Sequence, residues 1–389
     1  MKQHICPVCE SERLRLFLKR RQVPVHQNLL VNTQEAARTV TSGELELVIC
    51  EDCGFVFNQA FDLSRLSYGK DYDNTQSCSA YFDVYLDGLV QNMVERFRVR
   101  NSKIVEVGCG KGEFLKKLVN YPGANNTGFG FDPSYLGPLT DLEGRLQFRT
   151  CYYDESCIDI AADVVVCRHV IEHVPEPLNI LRSVRAALAL SPKARVFFET
   201  PCVDWILRHR VIWDFFYEHC SLFTAQSLGL AFGRAGFAVE RVEHIFGGQY
   251  LWLEARVEVI EEALPMIGET LGLATAYGEG EHKLMEAWLI RLHDLSYAGK
   301  VALWGAGAKG ATFANLVDPH CTLIDCVVDL NPNKQGCFVP GTGHPIVSPS
   351  QLQDRGVRNA ILMNPNYREE NLKLLAESGI PLNLIDWSE

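Results

Sequence analysis

Apolar residues in this chain gather in short runs closed by glycine or a charged residue. Stretches with apolar positions every three to four residues separate those runs. The run Ile104-Val-Glu-Val107 leads into Gly108-Cys-Gly110-Lys-Gly112, and an amphipathic stretch follows from Glu113. This pattern predicts a buried strand, a glycine turn and a helix start. Asp163-Val-Val-Val-Cys167 and Arg195-Val-Phe-Phe-Glu-Thr-Pro201 read as further buried strands, and Phe246 to Ala255 as a late one. Strands alternating with helices imply a parallel sheet covered by helices on both faces, with ligands at the carboxyl ends of the strands. A second strand and glycine turn, Val301-Ala-Leu-Trp-Gly305-Ala-Gly307-Ala-Lys-Gly310, comes late in the chain. Before it, Arg256 to Leu295 reads as helical, with an interruption at Gly278-Glu-Gly280.

Three units follow from this layout: 1–66, 67–255 and 256–389, the last a helical linker plus a second Rossmann-like unit. A length of 389 residues and 47% hydrophobic content are enough for such a division. The net charge of −11 argues against bulk nucleic-acid binding, which needs clustered Lys and Arg. No apolar run reaches membrane-spanning length, and the N-terminus lacks a signal-peptide core, so the cytoplasm is the expected compartment. Fourteen cysteines in such a chain suggest reduced thiols and a metal in place of a disulfide framework.

The metal expectation is specific. Cys6-Pro-Val-Cys9 and Cys50-Glu-Asp-Cys53-Gly54 bracket the first unit. Two Cys-x-x-Cys pairs can place four thiolates around one zinc, and four protein ligands leave no open position, so the zinc is expected to be structural. The forty intervening residues must form a small fold of their own.

Glycines 108, 110 and 112 let the backbone pass close beneath a ligand and leave N–H groups facing it. Asp132 follows Gly110 by 22 residues, where a second strand should end and hold a ribose. The acid-led Glu106-x-Gly108-x-Gly110-x-Gly112 resembles the first motif of class I S-adenosylmethionine methyltransferases. Gly305 to Gly310 instead carries dinucleotide spacing, with Asp329 placed 19 residues later.

Three segments carry candidate chemistry. Arg168-His169-Val-Ile-Glu172-His173 follows the Asp163 strand. It formally matches an inverted zinc-protease pattern, but Pro175 and Pro177 deny it the long helix that pattern needs. The segment resembles the fourth-strand motif of S-adenosylmethionine methyltransferases, which implies that Arg168 and His169 line the cofactor and substrate mouth, with His173 as a catalytic candidate; histidines capping a core helix are the alternative. Tyr217-Glu218-His219 follows the Glu199 strand inside an aromatic run. A charged pair there must be partnered, and a carboxylate can fix the tautomer of a basic imidazole. Tyr72, in the loop before the cofactor unit, is a further cofactor or catalytic candidate.

Taken in order, these features resemble the sugar C-methyltransferase family across essentially the whole chain. The resemblance implies an α/β architecture: a class I S-adenosylmethionine-methyltransferase Rossmann-like domain, a small N-terminal zinc-binding domain and a second Rossmann-like C-terminal domain. Cys6, Cys9, Cys50 and Cys53 match the family's zinc ligands, Glu106 to Gly112 its cofactor loop, and Glu218 with His219 its base. Where the family reads Tyr-His-Glu-His, this chain reads Phe216-Tyr217-Glu218-His219. The implied reaction is methylation of a carbon alpha to a carbonyl in a nucleotide-linked sugar or related small molecule. His219 would act as base oriented by Glu218, Tyr72 or Tyr217 would stabilise the enolate oxygen, and Glu106 and Asp132 would hold the cofactor's amino group and ribose. The third domain would help hold the substrate's nucleotide and would carry no NAD. Competing readings are an O- or N-methyltransferase, an NAD-dependent oxidoreductase using Gly305 to Gly310, and a non-catalytic zinc scaffold.

Overall fold

The computed structural model describes residues 4–66, 79–258 and 268–387. Its largest sheet has eight strands in the order Ala238–Ile245, Tyr250–Arg256, Arg195–Pro201, Val164–Arg168, Lys103–Val107, Thr127–Phe131, Leu146–Arg149 and Thr140–Asp141. Tyr250–Arg256 runs antiparallel to both neighbours, and Thr140–Asp141 antiparallel to Leu146–Arg149; the other pairings are parallel. This is an open α/β sheet of the class I methyltransferase type. The antiparallel strand wedged in at one side distinguishes it from an all-parallel dinucleotide sheet. The central strands are buried on both faces, so they read as continuous apolar runs. Helices cover them through one stripe each: Pro177–Ala187 opens on a proline and buries Leu178, Leu181, Val184 and Ala187. The late strand starts at Tyr250, four residues after the expected point. Phe246 to Gly248 form the hairpin turn, where Gly247 and Gly248 both have positive φ.

A second sheet is antiparallel: Leu14–Pro24, Ser42–Cys50 and Val56–Asn58, completed by Ser221–Leu222. That last strand lies two residues past His219, so main-chain pairing ties the His219 loop to the N-terminal sheet. Arg20 strengthens the tie. Its buried guanidinium donates to the carbonyls of Ile212 and Phe215 at 2.7 Å and pairs with Glu281 at 2.6 Å. A buried ion pair persists when its remaining donors are satisfied, and here they are.

The third sheet is wholly parallel: Ile346–Val347, Ile324–Val328, Lys300–Trp304, Val357–Leu362 and Asn383–Asp386. The helix before it runs unbroken from Thr270 to Tyr297, against the expected interruption at Gly278-Glu-Gly280, while Arg256 belongs to a strand. Gly278 is there for proximity: a Cβ on it would sit 2.0 Å from the Phe17 carbonyl oxygen. The missing side chain lets the helix lie directly on the Leu14–Pro24 strand. Among the described residues, no helix is long and apolar enough to cross a membrane.

Candidate active site

The first glycine turn is built for close approach. Gly108, Gly110 and Gly112 all have φ in the left-handed region. A Cβ on Gly108 would strike Val170, and one on Gly112 would strike Phe148, whereas one on Gly110 would meet open space. Gly110 is therefore the position with open space beside its backbone, but the N–H groups expected to face a ligand are spent within the protein: those of Gly108 and Cys109 on the Phe131 carbonyl and that of Gly112 on the Cys109 carbonyl. The Gly110 N–H donates to Asp132 Oδ2 at 2.8 Å, and the other carboxylate oxygen accepts from Ser134. Glu106 is buried beneath and accepts from the Leu115 N–H; burial pushes its pKa up to about 8, against the pull of Arg168.

At the carboxyl end of the next strand, charges interlock. Arg168 Nε donates to Glu199 at 2.6 Å and stacks over the Phe114 ring. His169, held at φ 53°, touches Glu172 through Nδ1 at 3.2 Å and Glu199 through Nε2 at 3.1 Å. Tyr85 donates to Glu199, and Thr200 to Glu172. Burial would favour neutral His169, but the two carboxylates override it and raise its pKa to about 9. Burial likewise opposes ionisation of Glu199, and Arg168 and His169 win, lowering it to about 2. Two cations thus offset two anions. Arg168, expected at the cofactor, is largely spent on Glu199, but its Nη2 is buried without a hydrogen-bond partner among the described residues. That orphan donor, the open space at Gly110 and the acids Glu106 and Asp132 fit a cofactor carrying a carboxylate, an ammonium and a ribose.

His169 also lines a cavity of about 330 Å³ that runs to the second glycine turn. His173 and His219 face each other on its wall, edge to face, with ring centroids 4.8 Å apart. Burial, aided by the charges of His173, His169 and Lys309, drives the His219 pKa well below its usual range, so the ring is neutral at pH 7 and keeps its lone pair. At the far end, Gly305 has φ 115° and the Ala306 N–H donates to Asp329 Oδ2 at 2.8 Å. Two lysines stand there: Lys309 on Asp214 and Gln249, and Lys334 on Asn28 and the Ala306 carbonyl.

Several expectations for this site need correction. Glu218 does not orient His219; its carboxylate takes His26 Nδ1 at 3.2 Å and the Gln27 N–H at 3.1 Å. The His219 ring rests instead on Phe216, centroids 4.1 Å apart. Tyr217 points away from the cavity: its hydroxyl exchanges hydrogen bonds with the Asp62 backbone, and its ring lies against Gly43. Phe216 occupies the cavity wall in its place. Tyr72 lies outside the described residues. Sequence reasoning also passed over Tyr85, Tyr250, Asp214 and Gln249. Glu199, a lone acid in an apolar strand, carried a signal that could have marked it as a site residue.

The four expected zinc ligands converge. Their sulfurs all lie within 4.8 Å of one another, with Cys6–Cys53 at 3.6 Å and Cys9–Cys50 at 3.4 Å. Both pairs sit on alike turns, with Glu10 and Gly54 in the left-handed region one residue past the second cysteine. Four convergent thiols on two matched knuckles fit a tetrahedral zinc.

Comparison with known proteins bears on this geometry. Residues 81–242 match the family model of a methyltransferase domain, and residues 269–379 that of a C-methyltransferase C-terminal domain. The chain is 25% identical to the C-methyltransferase NovU of Streptomyces niveus over 96% of its own length and 93% of that protein. It is 35% identical to the ubiquinone biosynthesis O-methyltransferase of Escherichia fergusonii over 25% of its length and 42% of that protein. A solved S-adenosylmethionine-dependent methyltransferase from Mesorhizobium loti aligns with TM-score 0.33 and 19% identity, over 44% of this chain and 99% of that one. The protein is an S-adenosylmethionine-dependent methyltransferase. The pairing of both domain models in one chain, with a relative matched nearly end to end, supports a C-methyltransferase.

Proposed function

We propose that the protein methylates a carbon alpha to a carbonyl in a nucleotide-linked sugar or a related small molecule, with His219 as the base. The observation that carries this reading is the cavity: a neutral imidazole stands at one end, and a glycine turn with two lysines at the other. The lysines suit a phosphate-bearing handle, which leaves the reacting carbon near His219. S-adenosylmethionine supplies an electrophilic methyl group. His219 takes the alpha proton, which makes the alpha carbon the acceptor; when bound, the cofactor would give up its methyl from the sulfonium sulfur and leave as S-adenosylhomocysteine. His173, beside His219 on the wall, polarises the carbonyl, the part earlier given to a tyrosine hydroxyl. Alignment of donor and acceptor contributes several kcal/mol, on the order of effective-molarity gains. Glu218 acts at one remove: through His26 and Gln27 it fixes the backbone that carries His219.

Glu106, Asp132, Gly108, Gly110 and Gly112 hold the cofactor, with His169 and Arg168 at the mouth. One structural zinc sits on Cys6, Cys9, Cys50 and Cys53 in a unit spanning 1–66; 67–255 carries methyl transfer and 256–389 holds the substrate handle. Thiolate ligation couples that metal to folding, so metal analysis of purified protein should return close to one tightly held zinc per chain.

The decisive experiment is proton exchange in heavy water. Wild type with S-adenosylhomocysteine should wash out the substrate's alpha proton, and His219→Asn should not. Turnover of the variant should fall by roughly 10²–10⁴, with cofactor affinity unchanged. A product methylated on oxygen or nitrogen would overturn the carbon-acid mechanism and favour the competing methyltransferase reading.

A further inference from the structure

Glu172, His173 and His219 bring one carboxylate oxygen and two imidazole nitrogens within 4.8 Å of one another. The inverted zinc-protease pattern in the sequence offered His169 and His173 as metal ligands. The fold replaces His169 by His219, 50 residues further on, because the turn Ile171–His173 aims Glu172 and His173 at the His219 loop. We infer that these three residues form a second metal site, distinct from the four cysteines, for one divalent transition cation of the zinc type. Its occupation silences the enzyme by taking the His219 lone pair.

The ligand set, two histidines and one glutamate, is one that leaves a fourth position open, here toward the cavity. Glu172 is fully buried and already fixed from behind: His169 reaches one oxygen and Thr200 donates to the other. Such outer partners orient metal-binding carboxylates. A tetrahedral ion with bonds of about 2.05 Å needs ligand atoms about 3.3 Å apart. From separations of up to 4.8 Å the three side chains must close by up to about 1.5 Å, within reach of rotations of the two partly exposed imidazoles. Arg168 and His169 offset Glu199 and Glu172, and Lys309 is a further cation nearby. Affinity must therefore come from the ligand bonds, as expected of a site that fills only when free metal rises.

This inference rests on His219 being the base, yet it can fail separately. Zinc-loaded full-length protein is titrated with cobalt(II). One added equivalent should bind with visible d–d absorption and no thiolate-to-cobalt charge transfer, and His173→Ala should lose that band while keeping its zinc and its affinity for S-adenosylhomocysteine. Excess Zn²⁺ should cut wild-type methylation at least tenfold, reversed by a weak chelator that leaves the cysteine-bound zinc. No cobalt band, or an equal band in the variant, overturns the site and leaves the base assignment standing. Stimulation of turnover by added metal overturns the inhibitory role. Loss of proton exchange in His219→Asn that keeps its cysteine-bound zinc and carries no added metal tests the base alone.

Discussion

The two glycine turns share one backbone device and differ in the charged side chains set beside it. In each, a buried parallel strand ends in glycines, a helix follows, and an aspartate at the end of the next strand accepts from a loop N–H at 2.8 Å: Asp132 from Gly110, Asp329 from Ala306. Around the first stand Glu106 and Asp132; around the second stand Lys309 and Lys334. The first turn keeps its central glycine open to a ligand. The second does the same at Gly307, and both use other glycines internally: Gly108 and Gly112 against Val170 and Phe148, and Gly310 against the Gly305 carbonyl oxygen, 2.0 Å from where a Cβ would lie. Spacing therefore specifies the loop's shape, and the flanking charges specify what it can hold.

The sharpest way to break this contrast is Gly110→Val. The side chain would enter the ligand's path at a φ that disfavours it. Calorimetry should show S-adenosylhomocysteine affinity reduced about a hundredfold or more, some 3 kcal/mol, and retained affinity would remove the turn from the cofactor site. At the other turn, Lys309→Gln should raise the substrate KM about tenfold or more, as expected for losing one charge-assisted hydrogen bond of about 1.5–3 kcal/mol. Cofactor affinity should not change. An unaltered KM for a phosphate-bearing substrate would separate the second turn from the handle.

A smaller effect comes from Glu106. Its pKa is raised to about 8, so below that pH it is protonated and cannot pair with an ammonium. Affinity for S-adenosylhomocysteine should rise with pH between 6.5 and 8, by at most about tenfold per unit, and Glu106→Gln should flatten the curve. The stability sign is opposite: a raised carboxyl favours the folded state at low pH, and that contribution is lost as pH climbs through about 8. Without ligand, wild type should therefore lose more Tm than Glu106→Gln between pH 6 and pH 9. Gly310→Ala should act on stability alone. It should cost about 1–3 kcal/mol through overpacking, lowering Tm by a few degrees while cofactor affinity stays level.

What the chain revealed in advance was local. Strand, turn and helix around Gly110 and Gly305 come from adjacent residues, and matched Cys-x-x-Cys pairs carry their own geometry. The direction of Tyr217, Glu218 and His219 was not legible. They lie in an irregular loop, where neither a two-residue nor a 3.6-residue period says which side chain faces where. Their partners, Asp62, His26 and Phe216, include two that are more than 150 residues away in sequence. Gly278 was misread for a related reason: a helix-breaking residue by propensity is a packing residue once Phe17 lies against it.

The Ser221–Leu222 strand has a consequence for anyone exchanging parts between such enzymes. A transplant cut at the apparent edge of the methyltransferase segment would carry one strand of a four-stranded sheet and leave the other three behind. The graft would arrive with its reactive loop unmoored, and the recipient with a raw sheet edge ready to pair with whatever chain it meets. A viable chimera has to move residues 4–66 together with the loop from Ile212 to Thr224, as one inheritance.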